Sequence, residues 1–449
     1  MKNQLIKNAT IINEGQISQG DVLVRGERIE HVGSSIQAKP HDEVIDASGL
    51  YLIPGLIDTH VHFREPGLSY KGTIDSESKA AVAGGVTSYM EMPNTLPNAT
   101  TMEHLEEKYR LASQSSYANY SFYFGLNAQN LEEALRVDNA LVCGLTDDGL
   151  YFDQKDSLLC NNPAYLKELF SRSGSLIALH CEDENIIGKN ETAYRALHGK
   201  NIQAHMHAEI RSSEACYAAT GRVVEMARLY NARLHILHVS TGVETSLFDH
   251  AIASGHKRIT AEACIHHLYF NSGDYGKKGM RIKWNPSIKS EQDRVQLLEA
   301  IRSNRIDTIA TDHAPHLLTE KLTDYFNSKS GAPSVQHTLP VLTELYHRGE
   351  ISLEDMVEKT SHHPADIFCI RDRGYIREGY YADLVLFDLH AAHTIAGSDL
   401  LYTCGWSPFE HETLRGVIDT VMVNGSMILR SGKWTNQRHV HRLIFNQNR

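Results

Sequence analysis

The chain has 449 residues, 41% of them apolar and 22% charged, which suits a large α/β body with a small companion and the balance of an ordinary globular protein. No run of about 18 apolar residues offers a membrane span, and a net charge of −11 without a basic stripe argues against a nucleic-acid or anionic-membrane surface. Seven scattered cysteines with no CxxC pair indicate neither a disulfide framework nor a thiolate metal site, and the amino terminus lacks a signal-peptide pattern, so cytoplasmic residence is the expectation.

In chain order, the first fifty residues alternate in period two, as in "TIINEG", "DVLVRGERIEHVG" and "EVIDASGLYLIPG", and read as short antiparallel strands of a small β domain. From Leu56 onward β-rich runs alternate with helical stretches such as "TMEHLEEKYRLASQ" and "SSEACYAATGRVVEMARLY", the pattern of a parallel sheet. The candidate strands are "LIDTHVH", "VTSYMEMPN", "SFYFGLN", "LVCGLTDDG", "SLIALHCED", "ARLHILHVS", "RITAEAC" and "IDTIATDHAPH". Eight strands imply a (β/α)₈ TIM barrel whose active site lies at the strands' carboxyl ends. The irregular stretch "HLLTEKLTDYFNSKSGAPSVQ" after the eighth strand is a candidate lid. The tail returns to strand texture, with a hairpin signal at Asn424-Gly425. The expected division is a composite β-sandwich domain of residues 1–55 plus 370–449 and a catalytic barrel of residues 56–369.

Side chains two apart on a strand share a face, so His60 and His62 project together into the barrel mouth. Alone they read equally well as core histidines satisfied by backbone. His180 in "IALHCED", His238 in "HILHVS" and Asp312 in "IATDHAPH" end three further strands. Five imidazole and carboxylate groups on one rim exceed the usual three ligands of one catalytic Zn²⁺ and imply two metal ions. A pair of metals about 3.5 to 4 Å apart needs a bridging anion, and "GLTDDG" offers Asp147 and Asp148. Asp148, the more terminal, is chosen, leaving Asp147 as a solvated acid or helix cap. Arg64, two residues past His62, stands where an incoming carboxylate would meet its planar fork; the bland alternative is a surface salt bridge. His266 and His267 in "CIHHL" read as packing or loop hydrogen bonding.

"DTHVHFREPG", "MPNT", "TDDG", "HCED", "HVST", "TAEACIHHL" and "TDHAPH", in that order over nearly the whole chain, resemble the dihydroorotases of the amidohydrolase superfamily, in the bacterial class with an aspartate-bridged metal site. The resemblance implies one Zn²⁺ on His60, His62 and Asp312, a second on His180 and His238, and Asp148 between them. It also implies a substrate carboxylate held by Arg64 and Asn94, with Asn285 and His316 contacting the ring or its carboxylate. The absence of lysine from Leu141 to Gly149 favours this class over dihydropyrimidinases and allantoinases that bridge with carboxylated lysine. The implied activity is zinc-dependent reversible hydrolysis of dihydroorotate to N-carbamoyl-L-aspartate in pyrimidine synthesis, with Asp312 as base and then acid. A hydantoinase-like cyclic amidohydrolase, or a metal-free scaffold supporting aspartate carbamoyltransferase, are the alternatives. Expected partners are the small-molecule substrate, a second copy in a homodimer, and an aspartate carbamoyltransferase.

Overall fold

The computed structural model describes residues 3–150, 159–251, 257–435 and 437–446. Residues 1–2, 436 and 447–449 of the expected β domain, and 151–158 and 252–256 of the expected barrel segment, lie outside them.

All eight expected barrel strands form: Leu56–Val61, Val86–Glu91, Asn119–Phe122 with its continuation Phe124–Gly125, Leu145–Thr146, Ile177–Leu179, Leu234–Ile236, Ile259–Cys264 and Thr308–Ala310. They pair in parallel as two arcs, the first three strands and then the third strand's continuation through the eighth. The seam between the eighth and first strands closes by side chain as well as backbone. The His62 N–H donates to the His313 carbonyl at 2.7 Å, and Asp58 on the first strand accepts from the Thr311 hydroxyl at 2.6 Å and the Thr311 N–H at 3.2 Å. The first three strands are buried along their length, as parallel strands covered by helices must be. The helices Met102–Ser115, Pro163–Arg172, Ser213–Leu229 and Glu291–Arg302 each start at a side-chain cap, from Thr101, Asn162, Ser212 and Ser290. Each cap satisfies orphan helix N–H groups and fixes where a strand-to-helix loop must end. Those loops therefore converge on one rim.

Head and tail strands share a second, nine-stranded sheet. Its order runs Lys433–Trp434, Ser426–Arg430, Thr413–Val423, Leu384–Thr394, Tyr51–Pro54, Gln4–Asn13, Gln16–Arg25 and Arg28–Gly33, with Glu43–Asp46 beside Gln4–Asn13. The join between the chain's two ends is antiparallel, with Leu384 opposite Pro54. Ile6, Val22, Val24, Leu52, Leu384 and Met422 pack into a core separate from the barrel's. At the hairpin turn predicted from Asn424-Gly425, both residues have positive φ, 46° and 70°, and a Cβ on Gly425 would stand 1.9 Å from the Gly26 carbonyl. Only glycine fits that approach.

Asp383 joins the two bodies. It pairs with Arg373, accepts from the Asn424 N–H at 2.8 Å and from the Asn119 amide of the third barrel strand at 3.3 Å, all in buried surroundings. Removing one partner of such a pair costs about 3–5 kcal/mol because the other charge stays buried. Asp383→Ala is expected to lower unfolding stability by that amount in denaturant titration while metal content per folded chain holds.

Candidate active site

The expected ligands come from five strand ends. His60 lies within the first strand and His62 one residue beyond it; Asp148, His180, His238 and Asp312 follow the fourth, fifth, sixth and eighth. All are buried. Arg64, His238 and Asp312 adopt φ of 74°, 37° and 44°, a left-handed backbone that costs a non-glycine residue on the order of 1–3 kcal/mol and clusters at functional sites. Arg64 thus reaches the mouth by a backbone reversal after the strand, and the period-two spacing expected from sequence does not carry it there.

Asp148 stands between two groups of donors. Its Oδ2 lies 3.4 Å from His60 Nε2 and 3.3 Å from His62 Nε2, and Asp312 Oδ1 lies 3.4 Å and 3.1 Å from the same nitrogens. Its Oδ1 lies 3.6 Å from both His180 Nδ1 and His238 Nε2, which are themselves 2.9 Å apart. Among the described residues, buried His60 Nε2 and Asp148 Oδ2 have no hydrogen-bond partner, a costly state for two polar atoms out of water that a divalent cation between them would relieve. Imidazole and carboxylate are suitable donors for such an ion, so the residues fit a two-metal centre. Burial pushes the Asp148 carboxyl up, but the close imidazoles of His180, His238 and His60 outweigh it and hold the group well below the usual range.

Asp147 corrects an expectation. It is fully buried and not solvated, and the helix N–H it accepts from is the first of the short 3-10 helix Leu159–Asn161. Its carboxylate accepts from the backbone N–H of Leu159 at 2.9 Å and of His180 at 3.3 Å, and burial pushes its pKa up to about 7. It holds the strand end that presents His180.

Three of the four imidazoles are aimed by a partner on the other nitrogen, which fixes the face offered to a metal, whereas His238 Nδ1 has no hydrogen-bond partner among the described residues. His60 Nδ1 donates to Glu262 at 2.9 Å, His62 Nδ1 to the Asn94 carbonyl oxygen at 2.8 Å, and His180 Nε2 to Glu182 at 2.8 Å. Glu182 is clamped in turn by Arg211 at 2.6 Å. Sequence reading missed Glu262 and Glu182. Both carried a signal: Glu262 is the single acid of "ITAEAC", a strand otherwise without charge, and Glu182 lies two residues past His180.

Above the donors, a cavity is lined by His62, Arg64, Asn94, Asp148, Trp284, Asn285, Asp312, Ala314, Ser330 and Gly331. Arg64 Nε donates to the Pro315 carbonyl at 3.1 Å and Nη2 meets His316 Nε2 at 3.2 Å. The buried Asn285 Oδ1 has no partner. His316 lines the outer vestibule with Arg64, Asn94 and Lys71, and Lys71 Nζ lies 3.1 Å from its Nδ1 and 3.1 Å from Glu320. Burial, reinforced by Arg64 and Lys71 against the pull of Glu320, holds His316 well below its usual pKa, so it is a neutral ring between two cations. The structure therefore brings together all ten residues singled out from sequence, with His316 on the outer side.

The stretch expected as a lid is the packed wall of this cavity. The fully buried Lys321 ammonium donates to the carbonyls of Lys283 at 2.9 Å, Lys329 at 2.7 Å and Gly331 at 2.8 Å. Lys283 Nζ donates to those of Tyr325 and Ser328, each at 2.7 Å, and burial lowers its pKa to about 7. Gly331 has φ of 109°, and a Cβ there would stand 2.7 Å from that of Ala314. Behind the wall, the His266 ring stacks on Trp284 with centroids 4.1 Å apart, and His267 Nε2 donates to the Pro286 carbonyl at 3.2 Å, the packing and loop bonding expected of them.

A TIM-type barrel carrying a buried His/Asp donor centre at its mouth is the architecture of a metal-dependent hydrolase. The chain belongs to the amidohydrolase family, whose sequence model matches residues 51–428. It is 34% identical over 413 residues to the dihydroorotase of Halobacterium salinarum, covering 91% of this chain and 92% of that one. It is 31% identical over 436 residues to the dihydroorotase of Staphylococcus epidermidis, covering 96% and 100%. Among solved structures it resembles L-hydantoinase (dihydropyrimidinase) from Arthrobacter aurescens at 25% identity, with a TM-score of 0.91 over 99% of this chain and all of that one. The dihydropyrimidinase of Brevibacillus agri matches at 26% identity, with a TM-score of 0.86 over 99% of each. No helix of the described residues is long and apolar enough to cross a membrane.

Two outcomes follow from this geometry. Asp148→Ala is expected to strip bound metal from both donor groups at unchanged fold, whereas Asp147→Ala lowers stability by roughly 1–3 kcal/mol for each backbone N–H left unpaired, as elemental analysis beside thermal melting would show. Lys321→Met removes the shared donor of three carbonyls, of which that of Lys283 keeps the Gly331 N–H, so the 317–331 loop is expected to become the first site of limited proteolysis and KM to rise several-fold more than kcat falls.

Proposed function

We propose that this chain catalyses the reversible hydrolysis of dihydroorotate to N-carbamoyl-L-aspartate with two zinc ions per chain, one on His60, His62 and Asp312, the other on His180 and His238, bridged by Asp148. The observation that carries the reading is Asp148 itself, with one oxygen toward each donor group, directly beneath a cavity that Arg64 and Asn94 also line. The names of the relatives support the same substrate. When bound, the ions would supply polarisation of the scissile carbonyl and acidification of the attacking water. The chain's own residues do the rest. Arg64 takes the ring carboxylate in a bidentate grip, and Asn94, its oxygen engaged by His62, has its N–H₂ free to donate to the same group. Asn285, with its buried unpartnered oxygen, accepts from a ring N–H, and neutral His316 buttresses Arg64. Asp312 lines the cavity with the carboxylate that faces His60 and His62, within reach of both the attacking water and the ring nitrogen. It takes the proton from the first and returns it to the second as the C–N bond breaks. The Ser330–Gly331 wall excludes bulk water from the ring.

The hydantoinase and dihydropyrimidinase structures share the barrel, and Arg64 with Asn94 favours an anionic ring over their uncharged ones. Residues 1–55 with 370–449 as companion domain, cytoplasmic residence, a homodimer and association with an aspartate carbamoyltransferase complete the reading. Purified zinc-replete protein is expected to turn over dihydroorotate, and a strong chelator to abolish that turnover until zinc is restored; full activity at zero metal overturns the reading. Asp312→Asn retains a ligand oxygen but cannot carry the proton, so kcat is expected to fall at least a hundredfold while part of the metal persists.

Truncating one partner of a desolvated ion pair costs about 2–5 kcal/mol, and 1.4 kcal/mol is about a factor of ten. Arg64→Met is therefore expected to lower kcat/KM for dihydroorotate between about thirtyfold and several thousandfold. Uncharged dihydrouracil should lose little, and metal content should hold. Equal losses for both substrates would remove the assignment to an anionic ring.

A further inference from the structure

Among the described residues, one group of three imidazole and carboxylate donors lies away from the barrel mouth: Glu27, His439 and His441. Glu27 occupies the tight turn between Gln16–Arg25 and Arg28–Gly33, and the two histidines lie on the tail segment that crosses from the β domain to the barrel. His439 Nε2 stands 3.0 Å from Glu27 Oε1, and His441 Nε2 stands 3.2 Å from Glu27 Oε2. All three ligand atoms lie within 4.8 Å of one another. Two ligands at about 2.0–2.1 Å from a tetrahedral zinc are separated by about 3.3 Å, so the two carboxylate-to-imidazole spacings match ligand edges around one ion. The His-x-His spacing repeats that of His60 and His62.

The donors are held in place before any ion arrives. The His441 N–H donates to Asn119 Oδ1 at 2.9 Å and its carbonyl accepts from the Tyr120 N–H at 3.1 Å. The His439 carbonyl accepts from Asn424 Nδ2 at 2.8 Å, and the Glu27 carbonyl from the Ala382 N–H at 2.8 Å. Fixed backbone on all three residues is the preorganisation that a metal site requires. The charge also fits. The nearby guanidiniums of Arg28 and Arg373 are paired with Asp372 and Asp383, which leaves the Glu27 carboxylate to the two imidazoles. Both histidines and Glu27 are about one-third exposed, so a fourth position is open to water. Two nitrogens and one carboxylate select a borderline ion such as zinc over calcium or magnesium, which prefer all-oxygen shells.

We propose that Glu27, His439 and His441 form a third metal site, of zinc type, that clips the carboxyl-terminal strap to the amino-terminal hairpin. Because the strap continues to Tyr120 on the third barrel strand, through Leu443 N–H to the Tyr120 carbonyl at 2.9 Å, the ion ties the two bodies together without touching the barrel mouth. Binding to the folded state alone raises stability with metal concentration.

The test titrates zinc chloride into chelator-stripped full-length protein, wild type beside Glu27→Gln and His439→Asn, and reads bound zinc by elemental analysis, melting temperature and dihydroorotate turnover. Each variant is expected to bind one equivalent fewer than wild type, to keep wild-type turnover and to lose part of the zinc-dependent rise in melting temperature. Equal stoichiometry in all three proteins across the titration overturns the proposal. Retained turnover reports that a variant has folded, and two separate substitutions guard against one that does not. Failure of the barrel-mouth reading is distinguishable, since turnover would then be absent from all three proteins while the one-equivalent difference remained.

Discussion

A buried carboxylate with imidazoles on both sides is the constraint around which this molecule is built. Asp148 has no solvent to share its charge and reaches four imidazole nitrogens at 3.3 to 3.6 Å. That arrangement is stable only if the donors cannot relax away and if a positive charge can be shared among them. The barrel meets the first requirement by drawing the donors from five different strands, so that no single loop movement loosens the set. Glu262, Asn94 and Glu182 meet the second by engaging the remote nitrogens of His60, His62 and His180, which leaves the inward lone pairs aimed at the gap. The left-handed backbone at His238 and Asp312 is the local cost of turning these side chains inward at a strand's end, and the surrounding barrel, closed by Asp58 and Thr311, holds it.

The same logic extends outward. Above an acidic floor stands a cationic wall of Arg64 and Lys71, separated by a neutral His316 and balanced on its outer side by Glu320. Two further ammonium groups, Lys321 and Lys283, are spent on backbone carbonyls and meet no carboxylate among their hydrogen bonds. They fold a stretch with little secondary structure of its own into a fixed wall by supplying donors to its backbone carbonyls, the Lys283 carbonyl also accepting from the Gly331 N–H at 2.9 Å.

Much of this was legible in the sequence, for identifiable reasons. All eight barrel strands could be read because parallel strands, buried on both faces, leave short apolar runs at regular spacing. His60, His62, His180, His238 and Asp312 could be read because chemistry at a strand's end shows as a polar residue ending an apolar run. The parts that were not legible depend on partners distant in sequence. Asp147 looks like a surface acid beside Asp148, and only the fold shows that its two oxygens are consumed by the backbone of Leu159 and His180. Lys321 sits in a charged, irregular stretch, and nothing local distinguishes it from the solvated lysine that such a stretch usually carries. Arg64 was found for a partly wrong reason: its position was right, but a reversal at φ of 74° puts it there.

Fold and substrate come apart at the mouth of this barrel. The chain superposes over 99% of its length on hydantoinase and dihydropyrimidinase structures, so the fold by itself carries no information about which ring is cut. A carboxylate-bearing ring differs from an uncharged one by a single charge, and a site can tell them apart only by a counter-charge that it keeps poorly solvated and unpaired until the substrate arrives. Arg64 meets that description. Its hydrogen bonds among the described residues go to a neutral carbonyl and a neutral ring, it is nearly enclosed, and of the acids that stabilise its charge at a distance against burial, Asp312 and Asp148 belong to the donor centre while Glu91 and Glu320 lie outside it. In the two-metal state proposed above, cations at the donor centre would offset Asp312 and Asp148, and the demand of the guanidinium for an anion above them would sharpen.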